Sequence, residues 1–126
     1  MTVLLDTSVL IDHLRGNPLA QAALRQAAEA GEHLVASVLT KVEVLAGMRM
    51  PEERATRQLL DRLDWIEVDD ALAESAGRLA NRYLRSHPGV DPVDYVIAAT
   101  AERLGARLWT RNAKHFPMFP DLNAPY

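Results

Sequence analysis

The sequence predicts an α/β fold whose central sheet is mainly parallel. Short apolar runs, typical of buried strands, alternate along the chain with helical segments of ten or more residues, and this alternation is characteristic of parallel sheets flanked by helices. We expect four to five strands. The chain has 126 residues and no linker, internal repeat or low-complexity segment, so we expect one domain over residues 1–126.

The first half of the chain shows two strand patterns and four helix patterns, which Gly and Pro residues separate. Helix-capping residues follow both strands, so strand turns into helix within a residue or two at each place. The expected elements are a strand at Val3–Leu5, a helix ending at Leu14, a helix at Leu19–Ala30, a strand within His33–Ser37, a helix from Ser37 to near Gly47, and a helix that Pro51 starts in its first turn.

The second half repeats the alternation. Trp65, Ile66 and Val68 form a third strand pattern, and Asp69 and Asp70 cap the helix that follows. The remaining expected elements are that helix through Tyr83, a loop at His87–Gly89, an apolar helix from Asp91 to Gly105, a fourth strand at Arg107–Thr110, and a tail without periodicity that wraps the surface from Phe116 to Tyr126.

The composition excludes several classes of protein. Hydrophobic residues make up 48% and charged residues 25%, the balance of a soluble globular protein. There is no cysteine, hence no disulfide or thiolate metal site, and no apolar stretch approaches the roughly 20 residues of a membrane span. The first residues lack the basic start of a secretory signal, so we expect a cytoplasmic protein that does not bind membranes.

Polar residues follow the predicted strands. Asp6 ends the first strand, Ser37 follows the second, and Thr110 closes the fourth. Ligands of open parallel sheets bind beyond the carboxyl ends of the strands. The sequence therefore predicts a polar site at this edge.

Three acids with apolar neighbours stand out, namely Asp6, Glu43 and Asp94. Each has a simpler interpretation too. Asp6 is suited to be a helix N-cap, Glu43 to be a solvated residue bordering the buried stripe of its helix, and Asp91 competes with Asp94 as either a cap or a ligand.

Taken together, the acids favour a cation site. They start from three separate helices at one predicted edge, where uncompensated carboxylates would repel one another and raise one another's pKa values. Mg²⁺ and Mn²⁺ prefer oxygen ligands and would remove this repulsion. Arg111 is the one nearby residue suited to be an internal cationic partner.

Three segments, LLDTSVLID, SVLTKVEVLAG and DPVDYVIAATAERLGARLWTRNAKHF, together resemble the PIN-domain family, and more specifically the VapC-type toxins of VapBC toxin–antitoxin pairs. The resemblance covers nearly the whole chain. It implies a three-layer fold and an endoribonuclease that uses Mg²⁺ or Mn²⁺. It also implies a homodimer and a VapB-type antitoxin whose C-terminal segment crosses the acidic site, often with an arginine among the carboxylates.

The resemblance also implies roles for particular residues. Asp6, Glu43 and Asp94 match the family's three acids, which hold metal, and Asn112 stands where the family commonly has Asp or Asn. His115 replaces a further acid of many relatives, which weakens a second metal site, and we expect it to be a surface or tail-packing residue. Supporting roles at the site fall to Thr7, Ser8, Asp91, Thr110 and Arg111.

An RNA substrate must approach an acidic protein, because 14 basic and 17 acidic residues give a net charge of −3. Arg78, Arg82 and Arg85 fall on one helix face, and they form either a solvated surface or a rim that contacts phosphates.

Two alternatives remain open from the sequence. The first is a PIN-like binding module that has lost catalysis and acts through its antitoxin complex. The second is a phosphotransfer enzyme of the haloacid-dehalogenase or receiver type. The second is disfavoured because position 8 is Ser, and because Lys41 and Lys114, the only lysines, do not directly follow a strand.

Overall fold

The computed structural model describes residues 1–126 as a four-stranded, all-parallel sheet with the strand order β3-β2-β1-β4. The strands are β1 (Thr2–Leu5), β2 (His33–Ser37), β3 (Asp64–Ile66) and β4 (Arg107–Trp109). The helices are α1 (Thr7–Leu14), α2 (Pro18–Glu29), α3 (Val38–Ala46), α4 (Glu53–Leu60), α5 (Asp70–Tyr83) and α6 (Pro92–Leu104). The predicted α/β class with a parallel sheet is therefore confirmed.

Alternate residues of the strands pack against opposite helical layers. Leu4, Val35 and Leu108 point into a core with α5, α6 and the tail, whereas Val3 and Ala36 join a core with the first four helices. The sheet is thus the middle of three layers, as expected.

Several predicted boundaries are wrong by one or two residues. Val68 lies beyond β3, and Thr110 lies beyond β4. Pro51 belongs to a 3₁₀ turn at Met50–Glu52 rather than to the first turn of α4, which begins at Glu53. A second 3₁₀ turn, Ala113–His115, precedes the irregular tail.

The carboxyl edge of the sheet is where strand ends and helix starts meet. Asp6 follows β1 and its amide donates to the carbonyl of Trp109, which ties the end of β1 to the end of β4. Ser37 is both the last residue of β2 and the N-cap of α3, where its hydroxyl accepts from the amide of Leu39 at 3.2 Å. No helix has the combination of length and apolarity that would cross a membrane.

Candidate functional site

A cavity of about 640 Å³ lies at the carboxyl edge. Carboxylates dominate its lining. The polar residues that line it are Asp6, Thr7, Ser8, Asp12, Glu43, Asp91, Asp94, Arg111, Asn112 and His115. All the residues with a predicted site role therefore line one cavity, except Thr110, which is fully buried beside Asp6.

Asp6 is held by two hydroxyl groups. Its Oδ2 accepts from the Oγ1 of Thr110 at 2.7 Å and from the Oγ of Ser8 at 3.0 Å. Asp6 occupies the N-cap position of α1 but makes no side-chain capping bond, so the N-cap interpretation of its carboxylate is wrong. The two hydroxyls fix the orientation of the carboxylate and leave Oδ1 without a donor from the protein.

Glu43 meets the site through Thr7. The Oγ1 of Thr7 donates to Oε1 of Glu43 at 2.6 Å, which links the first turn of α1 to α3. Glu43 is exposed, as the interpretation of a solvated residue at the border of the stripe predicts, yet it also lines the cavity. The solvated position is therefore confirmed, and Glu43 also lies where it could contribute to the site.

Asp94 is the most strongly perturbed acid of the site. The pKa of Asp94 is raised to about 6, mainly by burial and also by the charges of Asp6 and Asp91, while the Asp91 amide and His115 partly offset this rise. The amide of Asp91 lies 3.3 Å from Oδ2 of Asp94, and Nδ1 of His115 lies 3.4 Å from the same oxygen. Asp94 is therefore a partly buried acid whose neighbours do not bring its pKa back to the usual value of an aspartate.

Asp91 caps α6. Its Oδ1 accepts from the amide of Val93 at 2.8 Å, and its own amide is paired with Asp94, so the two acids form a capping box. The cap interpretation of Asp91 is confirmed. Asp91 therefore caps the N-terminus of α6 through Oδ1 and also lines the cavity.

The donor set fits a hard cation that keeps part of its water shell. No group of three or more His, Cys, Asp or Glu side chains is close enough to hold a metal ion directly. Mg²⁺, however, usually takes one or two carboxylates and completes its octahedron with waters and substrate phosphates. Asp6 and Asp94 could supply that minimum, because both line the cavity and the charge of Asp6 contributes to the raised pKa of Asp94.

Two residues at the cavity have roles that the sequence did not suggest. Asp12 accepts from Nη1 of Arg111 at 2.9 Å and from the hydroxyl of Tyr126 at 2.7 Å, so Arg111 neutralises Asp12 rather than the three predicted acids. His115 lies at the surface, as expected, with a side chain that is 36% exposed, but it also lines the cavity beside Asp94. The sequence contains one indication of this position, because His115 directly precedes Phe116, which is buried in the core.

Thr110 and Asn112 adjoin one another. The amide of Asn112 donates to the Oγ1 of Thr110 at 3.0 Å, while this hydroxyl donates to Asp6. Asn112 lines the cavity with an exposed side chain that has no partner within the protein. Its amide oxygen is therefore available to a ligand.

Comparisons with known proteins agree with this architecture. Residues 3–119 match the family model described as PIN domain. The chain is 47% identical over 123 residues to Ribonuclease VapC19 of Mycobacterium tuberculosis, covering 98% of each protein. It is 40% identical to Ribonuclease VapC10 of the same organism, covering 98% of this chain and 92% of that one.

A solved structure gives the same result. A chain of a toxin–antitoxin complex from Klebsiella pneumoniae superposes with a TM-score of 0.79 at 32% identity, over 98% of each chain. The chain therefore belongs to the PIN domain family and is a VapC-type member of it.

Proposed function

We propose that this protein is a divalent-metal-dependent endoribonuclease and the toxin of a bacterial toxin–antitoxin pair, with Mg²⁺ or Mn²⁺ as its cofactor. The observation that carries the proposal is that Asp6 and Asp94, from different elements, share a cavity in which the only arginine is already paired with Asp12. The names of the ribonuclease relatives support the same activity.

Each polar residue then has a task. Asp6 and Asp94 would hold the metal, with Glu43 placed to bind it directly or through water. Ser8 and Thr110 keep the Asp6 carboxylate fixed, and Thr7 does the same for Glu43. A bound divalent ion would polarise the phosphodiester and lower the pKa of an attacking water. No cysteine, serine or lysine nucleophile is needed for such hydrolysis.

We further propose that the site is silenced by an antitoxin segment that brings a cationic side chain to it. The acidic cavity is complementary to an arginine, whose fixed fork suits carboxylates. The similar chain from Klebsiella pneumoniae was solved in a toxin–antitoxin complex, which supports a partner of this kind. We also propose that the protein is a homodimer, as the family resemblance implies.

A second candidate function is a binding module with weakened catalysis. One observation favours it: no three acidic groups converge on one point, and His115 stands beside Asp94 where a further acid would strengthen a metal site. Both functions share the fold and the antitoxin partner, and they differ only in whether RNA is cleaved.

Metal-dependent cleavage of RNA separates the two functions. We expect the wild-type protein to cleave single-stranded RNA with Mg²⁺ or Mn²⁺ and not with EDTA. Asp6→Asn and Asp94→Asn should each lower the rate by more than about a hundredfold, the scale of losing a group that stabilises transition-state charge. Asp121→Asn, at an exposed acid outside the cavity, is the control and should cleave like wild type. A wild-type protein that does not cleave RNA with either metal would favour the binding module, whereas equal cleavage rates for Asp94→Asn and wild type would remove Asp94 from the proposed metal site.

A further inference from the structure

A preorganised cation stands at the border of the acidic cavity. Arg111 donates from Nη1 to Oδ2 of Asp12 at 2.9 Å, and its guanidinium carbon lies 5.0 Å from the centre of the Tyr126 ring. Its backbone amide also donates to the Oγ of Ser8 at 3.0 Å, beside the carboxylate of Asp6. The backbone and the guanidinium of Arg111 are therefore both held in place beside the acidic residues.

The guanidinium keeps part of its hydrogen-bonding capacity beside its contacts with Asp12 and Tyr126. Only Nη1 is engaged by a carboxylate, so Nε and Nη2 have no acidic partner. The Tyr126 ring packs against the guanidinium, and Tyr126 is not among the residues that line the cavity. The arginine side chain is 44% exposed, which leaves it accessible to a ligand.

The cavity needs such a group if an anion is to enter. Asp6, Asp12, Glu43, Asp91 and Asp94 all line it, and Arg111 is its only Arg or Lys. Polyanionic RNA is repelled by these carboxylates, and a metal ion bound among them would act on one phosphate only. A neighbouring phosphate requires its own donor.

We propose that Arg111 binds a backbone phosphate of the RNA next to the phosphodiester that is cleaved, and that Asp12 and Tyr126 act as positioning residues for it. This inference rests on the proposed ribonuclease function. Arginine suits the task because its planar fork makes two parallel bonds to phosphate oxygens. Bracing by the aspartate and the tyrosine ring reduces the rotamer entropy that binding would otherwise cost.

Binding of RNA without metal tests the proposal directly. A short fluorescent oligoribonucleotide is titrated in EDTA over a series of salt concentrations. We expect Arg111→Ala to weaken binding about tenfold and to lower the slope of log Kd against log salt by about one, the signature of one lost phosphate contact. Arg111→Lys should restore the slope, because the charge remains, while recovering only part of the affinity.

Control variants separate phosphate binding from a purely structural role of Arg111, in which it only links Asp12 to Tyr126. Arg103→Ala removes another ion-paired surface arginine, the partner of Asp69 outside the cavity, and should leave both affinity and slope unchanged. Tyr126→Phe removes the bond to Asp12 and should change the melting temperature more than the salt slope. If Arg111→Ala lowers the stability but leaves the salt slope of RNA binding unchanged, the role of Arg111 is only structural and the proposal is overturned.

Cleavage assays keep this inference distinct from the proposed function. With Mg²⁺ or Mn²⁺, Arg111→Ala should raise KM for RNA more than it lowers kcat. A wild-type protein that cleaves RNA while Arg111→Ala shows unchanged KM and slope overturns the inference alone. A wild-type protein that binds RNA through Arg111 but never cleaves it overturns the ribonuclease function alone.

Discussion

Asp94 has a raised pKa, and its protonation should control part of the protein's stability. Burial raises the pKa of Asp94 to about 6, above the usual value of an aspartate. Without metal, the folded protein therefore holds a proton between about pH 4 and pH 6 that the unfolded chain has released, and stability falls as pH rises through this window.

Asp94→Asn should remove this penalty. In EDTA at pH 8 we expect the variant to be more stable than wild type by about 1–2 kcal/mol, and at pH 4 we expect no difference, because both side chains are then neutral. Urea denaturation at the two pH values measures this. A variant that is less stable than wild type at pH 8 would mean that the carboxylate is compensated within the protein.

Thr110 shows how one buried hydroxyl serves both the fold and the site. It is fully buried, donates to Asp6 and accepts from the Asn112 amide. Thr110→Val keeps the shape but leaves both partners with one bond fewer, so we expect a loss of about 1–3 kcal/mol in the free energy of unfolding. Thr110→Ser keeps the hydroxyl and should lose less than Thr110→Val. If both variants are equally stable, the hydroxyl contributes nothing.

At the scale of elements, the sequence predicted every α-helix and strand, but neither of the two 3₁₀ turns and not every end. Hydrophobic periodicity and capping residues placed the helices, because these signals are local. The end of β4 was misjudged because Thr110 has strand propensity, yet its side chain turns to the Asp6 carboxylate of another strand end. Propensity does not register such a tertiary partner.

The capping box of α6 gives a prediction at this scale. Asp91→Ala removes the acceptor of the Val93 amide and should lower stability by about 0.5–2 kcal/mol. Asp91→Asn should keep both the stability and the RNA cleavage of wild type, because asparagine caps a helix as well as aspartate does. Loss of cleavage in a stable Asp91→Asn protein would instead make Asp91 a metal ligand.

Across the whole molecule, the sequence predicted which acids lie at the same edge of the sheet but not how the residues next to them pair. Parallel strands bring Asp6 and Thr110 to one edge, and the start of α6 brings Asp94 there, so strand order and capping sufficed for these. The contact of Asp12 with Tyr126 joins the first helix to the last residue of the chain. No periodic pattern covers the tail, so this pair and the fixed position of Arg111 could only be found from the structure.

Because the net charge is −3, the protein as a whole does not attract RNA. In the proposed function, local clusters of basic residues must therefore provide the attraction. Arg78 and Arg82 of the predicted rim lie on α5, but Arg85 lies in the turn after this helix, so the expectation that all three share one helix face is wrong for Arg85. The turn leads into the loop before α6, the helix that begins at the cavity. Arg78 is paired with Glu74 at 3.6 Å, whereas Arg82 and Arg85 have no acidic partner.

If this rim contacts phosphates, Arg82→Ala should weaken RNA binding and lower the salt slope by about one, and Arg78→Ala should have the same effects to a smaller extent because Glu74 already offsets its charge. Arg25→Ala is the matched control. Arg25 lies on α2 and lines a different cavity with His33 and Asp64, the first residues of β2 and β3, at the opposite edge of the sheet. If Arg82→Ala and Arg25→Ala lose the same amount of RNA affinity, binding depends on the total charge and not on a rim. A rim requires that the affinity depends on where an arginine lies.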